Sequence, residues 1–235
     1  MPRLAIGTVL PSSNRMVERV LSAILPLFPE VDGCVARIPY WGQGMGQPAD
    51  GYDLGSFREA ARLLGHAGVG VVCWNGTRGA ALGLAHDEAL AAAMGEAASC
   101  VGITTVMATV RVLERLGVRR VGMVAQGPVE EAVAHAAGLP VEVAALRGLG
   151  IRDNAMASAV EPAAIASLAR EVAAGAEAVL IWSTNLPGLA LVPELEAEFG
   201  VPVLDSASIG VWACLDALSL DKRPAAGLGR LFSLT

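Results

Sequence analysis

The chain has 235 residues, of which 54% are hydrophobic, with 23 acidic against 17 basic side chains and a net charge of −6. This is enough apolar material for a substantial core, and the acidic balance argues against a nucleic-acid partner. No apolar run reaches the ~20 residues of a membrane span, so no membrane partner is expected either.

The amino terminus leads straight into a strand pattern, with no signal peptide. Cys34, Cys73, Cys100 and Cys214 lie far apart and lack the paired spacing of a zinc site or disulfide framework. A cytoplasmic, reduced protein is expected, in which each cysteine is a small buried hydrophobe.

Residues 4–10 read as a strand, Pro11-Ser12-Ser13-Asn14 as a turn, and Arg15 to Leu27 as a helix with an apolar stripe. Ser13 or Asn14 can cap that helix, because either side chain accepts from free amides of the first turn. Alternatively, the Asn14 amide and the helix N-terminus together hold an anion. Gly33 to Pro39 is a second strand, running into a long Gly-rich loop that holds Tyr40 and Trp41. Loops of that length are often lids or binding loops. A helix over Leu54–His66 precedes a strand ending at Gly76-Thr77-Arg78, and an Ala-rich helix covers Ala85–Ala98. A short strand at Val101–Thr105 and a helix over Val106–Leu116 follow.

Strand 119–125 opens the second half of the chain. Pro128–Ala137 reads as a helix, with Glu130 and Glu131 suited to its positive N-terminal end. Next come a strand from Pro140 to Leu146, a polar loop holding Arg152, Asp153 and Asn154, and a helix over Pro162–Ala174. The run Val179-Leu-Ile-Trp-Ser183 is a buried strand whose carboxyl end carries Ser183-Thr184-Asn185. A helix over Val192–Phe199, a strand at Val201–Leu204 and a last helix from Asp205 to about Leu218 complete the chain. Strands alternating with helices give an α/β fold with parallel sheets, in which ligands bind outside the carboxyl ends of the strands.

The chain also resembles itself. A shift of about 107 residues lays Ala67–Arg78 on Ala174–Asn185, so that Gly76 matches Ser183 and Thr77 matches Thr184. Arg3–Pro11 likewise resembles Arg120–Pro128. Two similar α/β halves sharing one cleft are expected. The first half takes residues 1–105 plus 207–235, because the last helix packs back onto it, and the second takes 106–206.

Pro11-Ser12-Ser13-Asn14 with Glu18, Gly150-Ile-Arg-Asp153-Asn154 and Ser183-Thr184-Asn185-Leu186 occur in the order seen in the Asp/Glu racemase superfamily. The chain resembles its maleate isomerase and arylmalonate decarboxylase branch over nearly its full length. That resemblance implies two pseudo-symmetric Rossmann-like α/β halves, a site in the cleft between them, no cofactor and a small carboxylate or related amide as substrate. It also allows a homo-oligomer.

In such racemases and isomerases two cysteines face each other across the substrate. Here Gly76 and Ser183 stand at those places. Glycine at the first place resembles arylmalonate decarboxylases, which keep only the second-half cysteine. Cys73 falls three residues early, inside its strand, and Gln126 precedes a Gly-Pro where maleate isomerases carry a tyrosine.

A thiol titrates near 8.5 and exchanges protons near neutral pH, whereas a serine needs an adjacent base. His66, His86 and His135 all fall in or beside helices, and none makes an evident pair with Ser183. The expected catalytic set is Ser183, the vacant position Gly76, and Asp205, with Asp153 or a water as alternatives to Asp205. The expected substrate contacts are Asn14, Ser12, Thr77, Arg78, Gln126, Asn154, Thr184, Asn185 and Tyr40. Hydroxyls and strand-end amides among them can stabilise developing negative charge. Asn14 and Asn154 are expected to meet one ligand from opposite halves, and Tyr40 and Trp41 to help close the pocket.

Three readings stand: a small-carboxylate or amide enzyme using Ser183, a thiol enzyme whose native cysteine was changed to Ser183, or a ligand-binding protein that has lost the chemistry.

Overall fold

A computed structural model describes residues 3–42 and 44–234. The chain runs β1 (Leu4–Pro11), α1 (Met16–Ile24), β2 (Val31–Ile38), α2 (Leu54–His66), β3 (Val71–Trp74), α3 (Gly79–Leu82), α4 (Leu84–Ala98), β4 (Val101–Thr104) and α5 (Thr105–Leu116). It continues as β5 (Arg120–Ala125), α6 (Val129–Ala137), β6 (Glu142–Gly148), α7 (Asn154–Ser158), α8 (Pro162–Ala173), β7 (Ala178–Trp182), α9 (Val192–Phe199), β8 (Val203–Asp205) and α10 (Ser206–Ala217). Two four-stranded parallel sheets result, ordered β2-β1-β3-β4 and β6-β5-β7-β8.

The order repeats because each half winds the same way, and the strand register measures the repeat. A shift of 107 residues carries the Ile6–Val71 neighbours' second member onto Ala178, the partner of Val121. Ile6 itself must move 115 residues to reach Val121, two fewer than matching Pro11 to Pro128 would require. In space, therefore, Gln126 rather than Pro128 is the counterpart of Pro11.

The strands β1, β3, β5, β7 and β8 are largely buried on both faces, whereas the edge strands β2 and β6 are half-buried or exposed over most of their length. One continuous core lies between the sheets and takes in α1, α5 and α10, while separate clusters fill the spaces under α2 and α4 and under α8 and α9. Helix α10 is buried along Ser206–Leu215 because that stretch carries no charge. It packs on α5, α1 and β3, and more lightly on β4, β7 and β8.

Several boundaries differ from the sequence expectation for local reasons. Pro26 breaks the first helix, whose tail tightens into a 3-10 turn over Leu25–Leu27. β2 begins at Val31 and β6 at Glu142. Two short helices, α3 and α7, were not visible as patterns because four or five residues span barely one turn.

At Gly138 the second half meets the first closely. A Cβ at that position would lie 1.7 Å from the carbonyl oxygen of Ala80. Only glycine lets the end of α6 sit directly on α3.

Candidate active site

The carboxyl ends of β1, β3, β5 and β7 open on a cavity of about 390 Å3, within the usual range for small-molecule sites. Its walls include Gly76, Thr77, Arg78, Gln126, Asn154, Ser183, Thr184, Asn185 and Tyr40. Both halves thus contribute the strand-end residues that the repeat matched.

Three expected residues stand outside the lining. Ser12 holds the Tyr40 backbone, donating to its carbonyl at 3.2 Å and accepting from its amide at 3.3 Å. Asn14 is fully buried. Its Oδ1 accepts from the Met16 and Val17 amides at 2.9 and 3.0 Å, capping α1. Its Nδ2 donates to the Thr184 carbonyl and hydroxyl, both at 3.1 Å, and so ties the halves together. Asn154 lines the cavity, but Asn14 does not reach it, so the two asparagines do not share one ligand-facing wall.

Asp205 lies beneath the site. Its Oδ1 accepts from the Ser208 amide at 2.8 Å and caps α10. Oδ2 is buried without a partner. Burial pushes the carboxyl up to about 7, against the opposing hydrogen bonds from Ser208 and Ala207.

Cys73 faces the central core beside Cys214, whose hydrogen bond, together with burial, raises its pKa. It stays in its strand, outside the lining. Trp41, expected to help close the pocket, is 45% exposed and bridges to Met45 within its own loop, while Tyr40 takes the wall position.

Ser183 sits in a neutral chain of hydrogen bonds. Its Oγ donates to Gln126 Oε1 at 2.5 Å and accepts from the Asn185 amide at 3.1 Å. Gln126 Nε2 donates to Asn154 Oδ1 at 3.3 Å, and Asn154 Nδ2 donates to Ser13 Oγ at 2.9 Å. No member of the chain is a base, so nothing in it can take the serine proton.

At Gly76 the vacant place is filled. A Cβ built there would fall 2.5 Å from Cζ2, 2.6 Å from Cε2 and 2.9 Å from Nε1 of Trp74. The indole edge takes the space in which a cysteine side chain would stand. Phe57, Tyr52 and Tyr40 pack around that ring, at 4.8, 6.3 and 6.5 Å between centroids.

Three donors on wall residues are buried within the protein and make no hydrogen bond among the described residues: the Trp74 and Trp182 indole nitrogens and Arg78 Nη1. Arg78 also has no carboxylate partner among them. Its Nη2 donates to the Pro48 and Ala49 carbonyls of the Gly-rich loop, and its guanidinium lies 5.6 Å from the Tyr40 ring centre. Arg152, also in the wall, is neutralised by Glu131 at 2.6 Å.

His135 belongs to the wall although nothing in the sequence pointed there. Its place on a helix did not show that α6 meets the other half. Its Nδ1 lies 3.2 Å from the Thr77 carbonyl. A carbonyl only accepts, so Nδ1 carries the proton and Nε2 is left bare.

Residues 42–232 match the model of the arylmalonate decarboxylase family. The chain belongs to that family. It is 29% identical to the arylmalonate decarboxylase of Bordetella bronchiseptica over 242 residues, covering 97% of this chain and 95% of the relative. A solved arylmalonate decarboxylase superposes with a TM-score of 0.79 at 27% identity, over 98% of this chain and 100% of that one. The maleate cis-trans isomerase of Nocardia farcinica shares the fold, with a TM-score of 0.84 at 24% identity and coverage of 97% and 98%. That structure is a cysteine-to-serine mutant holding a covalently bound succinylcysteine. The decarboxylase relatives are enzymes, and the isomerase likeness carries the fold. No helix among the described residues is long and apolar enough to cross a membrane.

Proposed function

We propose that the protein is a cofactor-independent decarboxylase of a small substituted malonate. The observation that carries this reading is Arg78, a residue of the cavity wall whose guanidinium has no carboxylate partner among the described residues and whose Nη1 makes no hydrogen bond among them. A buried cationic donor of that kind is costly to leave without an acceptor. A malonate offers two carboxylates. One can pair with Arg78, while the other leaves as CO2 and its electron pair passes into the remaining carboxylate. Amide and hydroxyl groups at the strand ends support that developing charge.

Addition of a side chain to a double bond, as the covalent succinylcysteine of the isomerase relative implies, suits this site poorly. Gly76 has no side chain, Trp74 fills its place, and Ser183 has no base. Ser183 instead fixes Gln126 and the Asn185 amide. A binding-only reading draws on the same neutral chain around Ser183, and turnover separates the two.

The test measures CO2 release from phenylmalonate, methylmalonate and malonate, and maleate–fumarate interconversion, with wild type and Ser183→Ala. CO2 from at least one malonate, no maleate turnover, and Ser183→Ala within about tenfold of wild type are expected. Absence of CO2 from all three acids would overturn the decarboxylase, and maleate turnover lost in Ser183→Ala would make Ser183 the working group.

A further inference from the structure

Resting on the decarboxylase reading, the geometry leaves one requirement unmet: an acid to protonate the carbanion in a site without a thiol. We infer that His135 supplies that proton, from Nε2 of its imidazolium. Three observations converge on it. His135 lines the same cavity as Ser183, Gly76 and Arg78. Its ring lies 6.4 Å from Trp182, the residue before Ser183, while its Nδ1 bonds to the carbonyl of Thr77, the residue after Gly76. The imidazole therefore stands beside the ends of β3 and β7, the two strands that lead to the places where the resemblance puts thiols. Nε2, finally, makes no hydrogen bond among the described residues.

The geometry that holds it is built into the fold. Gly138 lets α6 seat on α3, so the ring reaches across the interface to Thr77. The Thr77 bond fixes the tautomer and leaves Nε2 as the only nitrogen that can exchange a proton.

The step balances as follows. The bond from the α-carbon to one carboxylate breaks and CO2 leaves. The electron pair passes into the other carboxylate as an enediolate. A new C–H bond then forms with the Nε2 proton, and His135 is left neutral. Solvent restores the proton, so each turnover consumes one, as conversion of a dianion to a monoanion and CO2 requires.

Charge around the ring sets when it is loaded. Burial holds the empty-site imidazole below its ordinary range, while the Thr77 carbonyl and Glu131 oppose that and Arg78 adds to it. Glu131 is spent on Arg152, and β6, which also packs on α6, has Glu142 and Arg147 paired with Arg120 and Glu171. An arriving dianion is then the main new negative charge at the ring. It neutralises Arg78 and favours the imidazolium, so proton uptake accompanies substrate binding.

The test uses the full-length protein and two readouts. The first is the variant His135→Asn, whose amide can keep the Thr77 bond while removing Nε2. With the best malonate, kcat is expected to fall about 100-fold or more, as for loss of a general acid, with KM within about threefold. The wild-type kcat should fall as pH rises through one ionisation that the variant lacks. A variant matching wild type in kcat and pH profile overturns the inference. The second is the His135 ring signal in NMR, titrated with and without malonate. The imidazole is expected to gain at least tenfold in proton affinity, and an unmoved titration overturns the inference whatever the activity. If wild type releases no CO2 from any acid, the decarboxylase reading fails and the proton-donor role fails with it; release of CO2 with an unmoved His135 titration or an unaffected variant overturns the inference alone.

Discussion

Gly76→Ala tests the central geometric claim about the first-half position. The backbone there needs no left-handed conformation, so any penalty comes from the side chain alone. The added methyl would meet the Trp74 ring at 2.5, 2.6 and 2.9 Å, where carbon atoms at rest stand about 3.5–4 Å apart. Relief needs the indole to move by about 1 Å, yet it is 1% exposed and boxed in by Phe57, Tyr52 and Tyr40. Overpacking of this kind costs about 1–3 kcal/mol, and in a chain of this size 2 kcal/mol lowers Tm by roughly 4–8 °C. Scanning calorimetry of Gly76→Ala and of Gly76→Ala/Trp74→Phe measures it. The smaller phenyl ring removes the clashing edge, so the added methyl should cost less in the Trp74→Phe background than in wild type. A single variant that melts within about 1 °C of wild type would refute the claim that the indole fills the cysteine place.

The other predictions concern charge and reach. Asp205 has its carboxyl raised from 3.8 to about 7 by burial, so its contribution to stability is fully present below about pH 4 and is lost as pH rises through about 7. Asp205→Asn keeps an acceptor for the Ser208 amide but cannot ionise; its Tm relative to wild type should rise between pH 4 and 8, by an amount on the order of 4 kcal/mol in stability, and a constant difference across that range would refute it. Arg78→Ala should weaken malonate binding about 10- to 100-fold by calorimetry in 0.1 M salt, as expected for losing a charged hydrogen bond, and Arg78→Lys should recover only part, because a lysine cannot also hold the Pro48 and Ala49 carbonyls. Gly138→Ala puts a methyl 1.7 Å from the Ala80 carbonyl oxygen and must lift α6 from α3. It should lower kcat at least tenfold while KM moves little, and an unchanged kcat would show that the seating of α6 does not matter.

The two α/β halves with parallel sheets were legible because strand periodicity and the 107-residue repeat are properties of the sequence. So was the cluster Ser183-Thr184-Asn185, which the rule for parallel sheets places at a cleft. What stayed hidden depends on contacts between distant segments. Asn14 looked like either a helix cap or a ligand group; the structure makes it a cap that also grips Thr184, 170 residues away. Asp205 carried an attractive side chain at a strand end, but β8 ends level with Ile181, two residues short of Ser183, and its carboxylate caps α10. Gly76 could be seen to lack a thiol, yet only the packed structure shows that Trp74 has taken the space. His135 gave no signal, since a histidine on a helix face looks alike whether it meets its own half or the opposite one.

A pseudo-symmetric cleft offers two equivalent strand ends, and enzymes that use a thiol on each side can move protons on either face of the substrate. Here the equivalence survives in the backbone and is broken in the side chains. One end is closed by an indole edge, and the other is held by Ser183 and Gln126 in a chain of neutral groups. The remaining charge is distributed unevenly: Arg78 from the first half holds a free cation, and α6 from the second half brings one imidazole across the interface. On the decarboxylase reading, such a site takes an anion at Arg78 and receives its proton from the imidazole. That favours a reaction needing one proton delivered to one face over a two-base exchange, and it makes the α6–α3 contact part of the chemistry. The same cross-half contacts that stabilise the fold, Asn14 with Thr184 and His135 with Thr77, then set the distance between the anion site and its acid.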